Sequence, residues 1–262
     1  MHEVMNLLST AVQASLDAGK AIMKIYSDPA EDFGIERKAD NSPLTKADKA
    51  SHGIIMDALL PTGIPVLSEE GSDIPFAVRG GWDRFWLVDP LDGTKEFIKK
   101  NGEFTVNIAL IEAGVPVMGV IYVPAMQKLY YGSTDDGAHM AQVKDHSVIG
   151  EAVKIPVSGG RDVWTVVASR SHMSPETQDY ISAMEKEHGE VHTISAGSSL
   201  KICLVAEGRA DIYPRFAPTM EWDTAAGHAI ARAAGHDIYE GLTDTPLKYN
   251  KEDLHNPWFV VR

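Results

Sequence analysis

The chain has 262 residues, a formal net charge of −13, 44% hydrophobic residues and 23% charged residues. These proportions are near the averages of soluble globular proteins, so a disordered or fibrous chain is excluded and a sizeable core is expected. A nucleic-acid polymer is disfavoured as a partner, because phosphate backbones bind to basic surfaces. A small phosphate ester would also be repelled, unless bound cations or clustered Lys and Arg make its site locally positive.

The expected location is the cytoplasm. No apolar stretch of about 18 residues is present, and the N-terminus lacks the basic and then apolar layout of a signal peptide. Cys203, the only cysteine, lies in an apolar run and is predicted to be a packed core thiol, as expected in a reducing compartment. Peripheral attachment at the inner membrane is the alternative, although the net acidity opposes docking to anionic lipid. The oligomeric state is left open.

Two helices are predicted near the N-terminus. Apolar residues recur at helical spacing over residues 3–26, which indicates a long amphipathic helix that packs on a core. After a loop at residues 40–43, Thr45 is placed to cap a second helix that runs to Leu60, with Asp48 three residues after the cap. A Pro-Thr-Gly sequence ends this second helix.

Strands are predicted next, because short runs rich in β-branched residues are bounded by Gly or Pro. They cover residues 64–67, 85–88, 104–111 and 117–123. Past a polar stretch at residues 135–160, strands and helices alternate, with helices at 175–188, 199–206 and 224–234. We therefore expect an N-terminal α+β lobe over residues 1–150 and a C-terminal α/β lobe over residues 151–262.

Three separated segments place acidic residues at the end of a strand or the start of a helix. The acidic residues are Glu69 with Glu70, Asp89 with Asp92, and Glu221 with Asp223. In the middle segment, Pro90 and Gly93 bend the backbone, so that Asp89, the Leu91 carbonyl and Asp92 can point at one place. Such oxygen ligands suit Mg²⁺, whereas the His and Cys set that zinc requires is absent from the sequence.

Each segment also has a simpler interpretation. Asp-Pro-Leu-Asp-Gly is an ordinary turn sequence, Glu69 with Glu70 fits a solvated loop, and Asp223 fits the N-cap of a helix that begins near Thr224. Three such clusters in one chain would be a coincidence without a cation to hold. The pattern therefore favours metal-dependent hydrolysis of a small phosphate ester without a covalent nucleophile.

The motifs in residues 42–48, 67–70, 89–97 and 222–228 are specific in combination. With them the chain resembles, over nearly its whole length, the inositol monophosphatase family of lithium-sensitive, Mg²⁺-dependent phosphatases, and within it the 3'(2'),5'-bisphosphate nucleotidases. The resemblance implies a layered αβαβα sandwich, as in fructose-1,6-bisphosphatase. It also implies hydrolysis of adenosine 3',5'-bisphosphate to AMP and phosphate in sulfur metabolism, with 3'-phosphoadenylyl sulfate as a second candidate substrate.

The resemblance also assigns metal ligands. Glu69, Asp89 and the Leu91 carbonyl would hold one Mg²⁺. Asp89, Asp92 and Asp223 would hold a second, so that Asp89 bridges the two ions. A third, weaker ion would lie near Glu69.

The catalytic residues implied by the resemblance are Asp48, Glu69 and Thr94. Glu69 and Thr94 would position the attacking water, and Asp48 would accept a hydrogen bond from Thr94 as part of a proton relay. The sequence alone gives Asp48 only a helical setting, so this chemical role comes from the resemblance.

A second set of residues would select the substrate. Gly197-Ser198-Ser199 lies at the start of a predicted helix, whose free amides could bind a phosphate. The planar guanidinium of Arg215 can donate two hydrogen bonds to a phosphate or a carbonyl. In the nucleotidases that the chain resembles, the residues matching His172, Ser198, Lys201 and Arg215 contact the nucleotide and its second phosphate. The substrate would also meet residues of the metal site, which are Glu69, Leu91, Asp92, Gly93, Thr94 and Asp223.

These assignments have alternatives. Lys201 fits a solvated helix position, Arg215 could pair with Glu221 or Asp211, and His172 fits an incidental loop histidine. An inositol-phosphate or sugar-phosphate phosphatase is the nearest alternative function. A protein that holds nucleotide without turnover is the alternative outside the enzymes, although Thr94 and Asp48 would be useless to it.

Overall fold

The computed structural model describes residues 2–28, 33–37, 43–71, 73–157, 162–168 and 173–262. Within these ranges the helices are α1 His2–Ser27, α2 Lys46–Leu59, α3 Phe76–Arg79, α4 Thr94–Ile98, α5 Pro175–His188, α6 Leu200–Ala206 and α7 Glu221–Ala233. The strands are β1 Glu36–Arg37, β2 Pro43–Leu44, β3 Val66–Ser68, β4 Arg84–Asp92, β5 Thr105–Glu112, β6 Val115–Val123, β7 Lys128–Ser133, β8 Gly137–Lys144, β9 Ser147–Ile155, β10 Trp164–Ala168, β11 Val191–Ser195, β12 Tyr213–Arg215, β13 Ile238–Glu240 and β14 Phe259–Val261.

A seven-stranded sheet with the order β3-β4-β5-β6-β7-β8-β9 forms the centre of the fold. β3 is parallel to β4, and every other neighbouring pair in this sheet is antiparallel. Successive residues of a strand point to opposite faces. In β4, Trp86 and Val88 therefore pack against α1 and α2, whereas Phe85 and Leu87 pack against α6 and α7. Because both faces are buried, β4 has a continuous apolar run rather than an alternating pattern.

The helices and sheets are stacked in five layers. α1 and α2 cover one face of the central sheet, and α7, with α6 packed on it, covers the other. α6 in turn contacts β10 and β12, which belong to two smaller sheets with the orders β10-β11 and β12-β14-β13. α5 packs on the outer side of these small sheets. This arrangement is a layered αβαβα sandwich, which confirms the fold implied by the family resemblance.

The predicted helices are confirmed to within three residues at either end, but β7, β13 and β14 lie where no strand was predicted, and two further stretches also differ from the prediction. The polar stretch at residues 135–160 contains β8 and β9. β9 was not predicted because it is an edge strand whose side chains are mostly exposed, so its sequence lacks an apolar run. α7 begins at Glu221, three residues before the predicted start. The division into two lobes stays a prediction. The predicted boundary, between residues 150 and 151, falls within β9.

Two further expectations concern membranes and the single thiol. No helix in the described ranges is both long and apolar enough to cross a membrane. Cys203 lies on α6 and is fully buried in the hydrophobic core, and this burial raises the pKa of its thiol. The expectation of a core thiol is therefore confirmed, and the cytoplasmic location stays a prediction.

Candidate active site

The first turn of α2 presents Asp48 to the site. Thr45 caps the helix, and its backbone amide and its hydroxyl both donate to Asp48 Oδ2, at 2.8 Å and 2.5 Å. The other oxygen, Oδ1, accepts a hydrogen bond from Thr94 Oγ1 at 3.1 Å. Asp48 is 1% exposed, and this burial raises the pKa of its carboxyl above the ordinary value. The capping interaction thus fixes the side chain that contacts Thr94, as the family resemblance implied.

The Asp-Pro-Leu-Asp-Gly segment at the end of β4 forms a tight bend. Pairing with β5 is irregular between Asp89 and Asp92, which allows Pro90 to lie in a strand. Gly93 follows with a φ of 90°, a conformation that favours glycine. Inside the bend, Asp89 Oδ1 accepts a hydrogen bond from the Leu91 amide at 3.0 Å. The segment is therefore a turn, as its composition indicates, and it also supplies the centre of the acidic cluster.

Four carboxylates meet where β3, β4 and α7 end or begin. Asp89, Asp92 and Asp223 each have an oxygen within 4.8 Å of the others, and Glu69 is a hydrogen-bonding neighbour of Asp89. Asp89 is 2% exposed, whereas Asp92 and Asp223 are half-buried. The four acidic residues that the sequence predicts to converge are thus brought together from three distant segments.

The electrostatics of this cluster favour a bound cation. Burial, followed by the charges of Glu69, Asp92 and Asp223, raises the pKa of Asp89 well above its ordinary value. Burial, followed by the charge of Asp92, does the same to the pKa of Asp223. Carboxylates that repel one another in a buried setting are costly unless a cation neutralises them. Because every side-chain donor is a carboxylate oxygen, the set fits a hard ion such as Mg²⁺.

Asp223 reaches the cluster from the first turn of α7. The helix begins at Glu221, so Asp223 is not the N-cap, and that alternative is wrong. Its Oδ2 accepts a hydrogen bond from the Met220 amide at 2.8 Å, which holds the carboxylate at the helix N-terminus.

A cavity beside the cluster contains most of the residues predicted to select the substrate. Gly93, Ser198, Lys201 and Arg215 line it together with Asp92 and Asp223. An adjoining cavity, lined by Glu69 and Thr94, shares Asp92, Gly93 and Asp223 with the first. His172 lies outside the described residues. The structure therefore groups most of the predicted substrate residues around two cavities that share lining residues, and their individual roles stay predictions.

Lys201 is not a solvated lysine, so that alternative is wrong. It is 7% exposed, and its Nζ donates to the carbonyl oxygens of Ser198 at 2.8 Å and Ala196 at 3.3 Å. Burial lowers the pKa of Lys201 to about 8. The ammonium group therefore holds the loop that lines the cavity, in addition to giving the cavity positive charge.

Arg215 lies on β12 with part of its guanidinium uncommitted. One nitrogen, Nη2, donates to the Pro218 carbonyl at 3.3 Å, and Nε is buried without a hydrogen-bond partner among the described residues. Glu221, proposed above as an alternative partner, instead accepts hydrogen bonds from Lys251 Nζ and from the Asn250 amide. Arg215 is thus able to donate to a ligand in the cavity.

Three buried polar residues near the cluster make side-chain hydrogen bonds that the sequence did not predict. Ser51 Oγ donates to the Pro90 carbonyl at 2.6 Å, and Asn107 Nδ2 and Ser199 Oγ bond to each other at 2.8 Å beside Asp92. The sequence did contain one signal, because Asn107 is a polar residue within an otherwise apolar strand. The amide of Ser199, expected to be free for phosphate, is already bonded to Asp92 Oδ2 at 2.7 Å.

The fold and the acidic cluster are those of a metal-dependent phosphatase, and the family comparison agrees. The sequence model of the inositol monophosphatase family matches residues 3–256, so the chain belongs to that family. Members of this family depend on a metal ion, typically Mg²⁺.

Among individual relatives, the chain is similar to the 3'(2'),5'-bisphosphate nucleotidase CysQ of Escherichia coli K12, with 49% identity over 97% of this chain and 99% of the relative. The CysQ nucleotidase of Haemophilus influenzae is 33% identical over 98% of this chain and 92% of the relative. The crystal structure of CysQ from Bacteroides thetaiotaomicron is 55% identical, with a TM-score of 0.90 over 98% of this chain and 97% of that one. Peripheral attachment at the inner membrane finds no support in these relatives.

Proposed function

We propose that the protein is a Mg²⁺-dependent 3'(2'),5'-bisphosphate nucleotidase that hydrolyses adenosine 3',5'-bisphosphate to AMP and phosphate, with 3'-phosphoadenylyl sulfate as a second substrate. The proposal rests on one observation, which is that the carboxylates of Asp89, Asp92 and Asp223 lie close together beside a cavity. Lys201 and Arg215 line the same cavity. The high identity to CysQ nucleotidases over the whole chain supports the choice of substrate.

The proposed ligands divide the cluster into two ion sites. Glu69, Asp89 and the Leu91 carbonyl would hold the first ion, and Asp89, Asp92 and Asp223 the second, with a weaker third ion near Glu69. When bound, two such ions lower the pKa of a water and neutralise the charge that develops on the leaving oxygen. The protein's own part is to hold these groups in place, which is most of what phosphoryl transfer requires.

Thr94 is the residue best placed to accept a proton from the attacking water and to pass its own proton to Asp48. Its hydroxyl donates to Asp48 Oδ1, so its oxygen remains able to accept a hydrogen bond from that water. Asp48 is itself held by the Thr45 cap and cannot easily turn away. Glu69, which lines the same cavity as Thr94, would hold the water from the other side.

The basic residues would hold the rest of the substrate. We assign Arg215, Lys201 and Ser198, together with His172, to the nucleotide and its second phosphate. A bisphosphate carries more negative charge than inositol 1-phosphate, so it gains more from these cations.

The experiment that tests this function is a phosphate-release assay with the purified protein and Mg²⁺. The panel contains adenosine 3',5'-bisphosphate, 3'-phosphoadenylyl sulfate, inositol 1-phosphate and fructose 1,6-bisphosphate. We expect the highest kcat/KM on the adenosine bisphosphate. A preference for inositol 1-phosphate or for the sugar ester would overturn the substrate assignment. Nucleotide binding without phosphate release would favour a binding protein.

A further inference from the structure

Asp92 is held by two buried residues that have no assigned role. Its Oδ2 accepts hydrogen bonds from the Ser199 amide at 2.7 Å, from Ser199 Oγ at 2.6 Å and, more weakly, from Asn107 Nδ2 at 3.4 Å. Asn107 Nδ2 also donates to Ser199 Oγ at 2.8 Å. Asn107 is 1% exposed and Ser199 is 3% exposed, so water does not compete for these contacts. We call Ser199 and Asn107 the Asp92 clamp.

The Asp92 clamp occupies one of the two oxygens of Asp92 with hydrogen bonds. With Oδ2 committed to donors, Oδ1 is the oxygen left for an ion. A hydroxyl carries a single proton, and Ser199 Oγ lies close to both Asp92 Oδ2 and the Asp223 carbonyl, at 2.6 Å and 2.7 Å. Because a hydrogen bond to a carboxylate is stronger than one to a neutral carbonyl, the proton favours Asp92.

Ordinary helix capping does not explain Ser199. It is the N-cap of α6, yet its side chain makes no hydrogen bond to an amide of that helix. The hydroxyl instead bonds to groups of β4 and α7, outside its own helix. Within the described residues, the side-chain hydrogen bonds of Asn107 go only to Asp92 and Ser199, and its Oδ1 is buried without a partner there. An apolar residue at position 107 would avoid that desolvation cost, so stability alone does not account for an asparagine there.

The loop that carries Ser199 also lines the substrate cavity, and it is tightly packed. A side chain at Gly197 would lie 2.8 Å from the Glu103 carbonyl, and one at Gly93 would lie 3.2 Å from Ser198 Cβ. Displacement of this loop would therefore move Ser199, and with it the hydrogen bonds to Asp92.

We propose that Ser199 and Asn107 are positioning residues for the metal ligand Asp92, and that Ser199 links the substrate loop to the metal site. The inference rests on the proposed function, because it requires Asp92 to hold an ion. Residues that orient a metal ligand typically change metal affinity by about 10- to 100-fold when they are removed. S199A and N107S should therefore weaken Mg²⁺ binding.

The test measures Mg²⁺ affinity by calorimetric titration of the metal-free wild type, S199A and N107S. The matched control is S15A, since Ser15 is fully buried in α1 and donates to the Val12 carbonyl at 2.7 Å. We expect at least about tenfold weaker Mg²⁺ binding in S199A and N107S, and wild-type affinity in S15A. Turnover of S199A should recover as Mg²⁺ is raised, with kcat at saturating Mg²⁺ within a few fold of the wild type.

Two results would overturn the inference. The first is wild-type Mg²⁺ affinity in folded S199A and N107S. The second is a low kcat in S199A that saturating Mg²⁺ does not restore. N107S carries the same test if S199A does not fold. A wild-type protein that binds no Mg²⁺ and releases no phosphate would instead contradict the proposed function, so the two failures are distinguishable.

Discussion

The acidic and basic halves of the site are positioned in different ways. Three carboxylates are fixed by local backbone structure: a capping box holds Asp48, an irregular bend holds Asp89 and the first turn of α7 holds Asp223. Asp92 is instead held by the Asp92 clamp. The basic half depends on a single loop, whose carbonyls hold Lys201, and on Arg215, whose Nε lacks a hydrogen-bond partner within the described ranges. Under the proposed function, the acidic half would serve the reaction of any phosphate ester, whereas the basic half would select one kind of ligand.

The largest effect should come from the centre of the acidic half. D89N keeps the shape of the side chain but removes a charge shared by both proposed ion sites. The expected loss of kcat/KM is about a thousandfold, corresponding to about 4 kcal/mol of transition-state stabilisation, on every ester tested. D135N, a change at an exposed acidic residue, serves as the matched control and should behave as the wild type. Full turnover in D89N would show that the cluster is not the reaction centre.

The next effect concerns the proposed proton relay from Thr94 to Asp48. T94V removes the hydroxyl that donates to Asp48 and nearly preserves the volume of the side chain. General acid–base groups typically contribute about 10²- to 10⁴-fold, so kcat should fall within that range. Mg²⁺ affinity should be unchanged, and T94S should retain most of the activity. A T94V protein with wild-type kcat would exclude Thr94 from the chemistry.

A smaller and more selective effect is expected in the basic half. R215A removes a charged donor, and such hydrogen bonds contribute about 1.5–3 kcal/mol, or roughly 10- to 100-fold. The loss should appear in kcat/KM for adenosine 3',5'-bisphosphate and should be much smaller for inositol 1-phosphate. Equal losses on both substrates would remove Arg215 from the specificity of the site.

The smallest effect is a pH dependence of substrate binding. Burial lowers the pKa of Lys201 to about 8, so its positive charge is present below that pH and is lost as the pH rises through it. KM for the bisphosphate should therefore rise above about pH 8 in the wild type, and K201M should have a high KM that does not change there. A flat wild-type KM between pH 7 and about 9 would contradict this role.

The parts of the molecule that the sequence predicts well are those with local causes. The capping signal at Thr45 and the helical spacing in residues 3–26 depend on neighbours in the chain, and both helices are confirmed. The edge strand β9 was missed because its exposed residues carry no apolar pattern. The contact between Ser199 and Asn107 was not predicted, because it joins residues 92 positions apart, which no periodicity reports. The family resemblance, and not residue spacing, supplied the contact between Asp48 and Thr94.

The central claim is that the carboxylates of Glu69, Asp89, Asp92 and Asp223 require divalent ions. Removal of metal with EDTA, followed by dialysis, tests it through two readouts on the same sample. The account predicts that phosphate release from adenosine 3',5'-bisphosphate stops and that Tm falls, because the buried carboxylates then repel one another without compensation. Added Mg²⁺ should restore both. Continued phosphate release with an unchanged Tm in the metal-free protein would contradict the account.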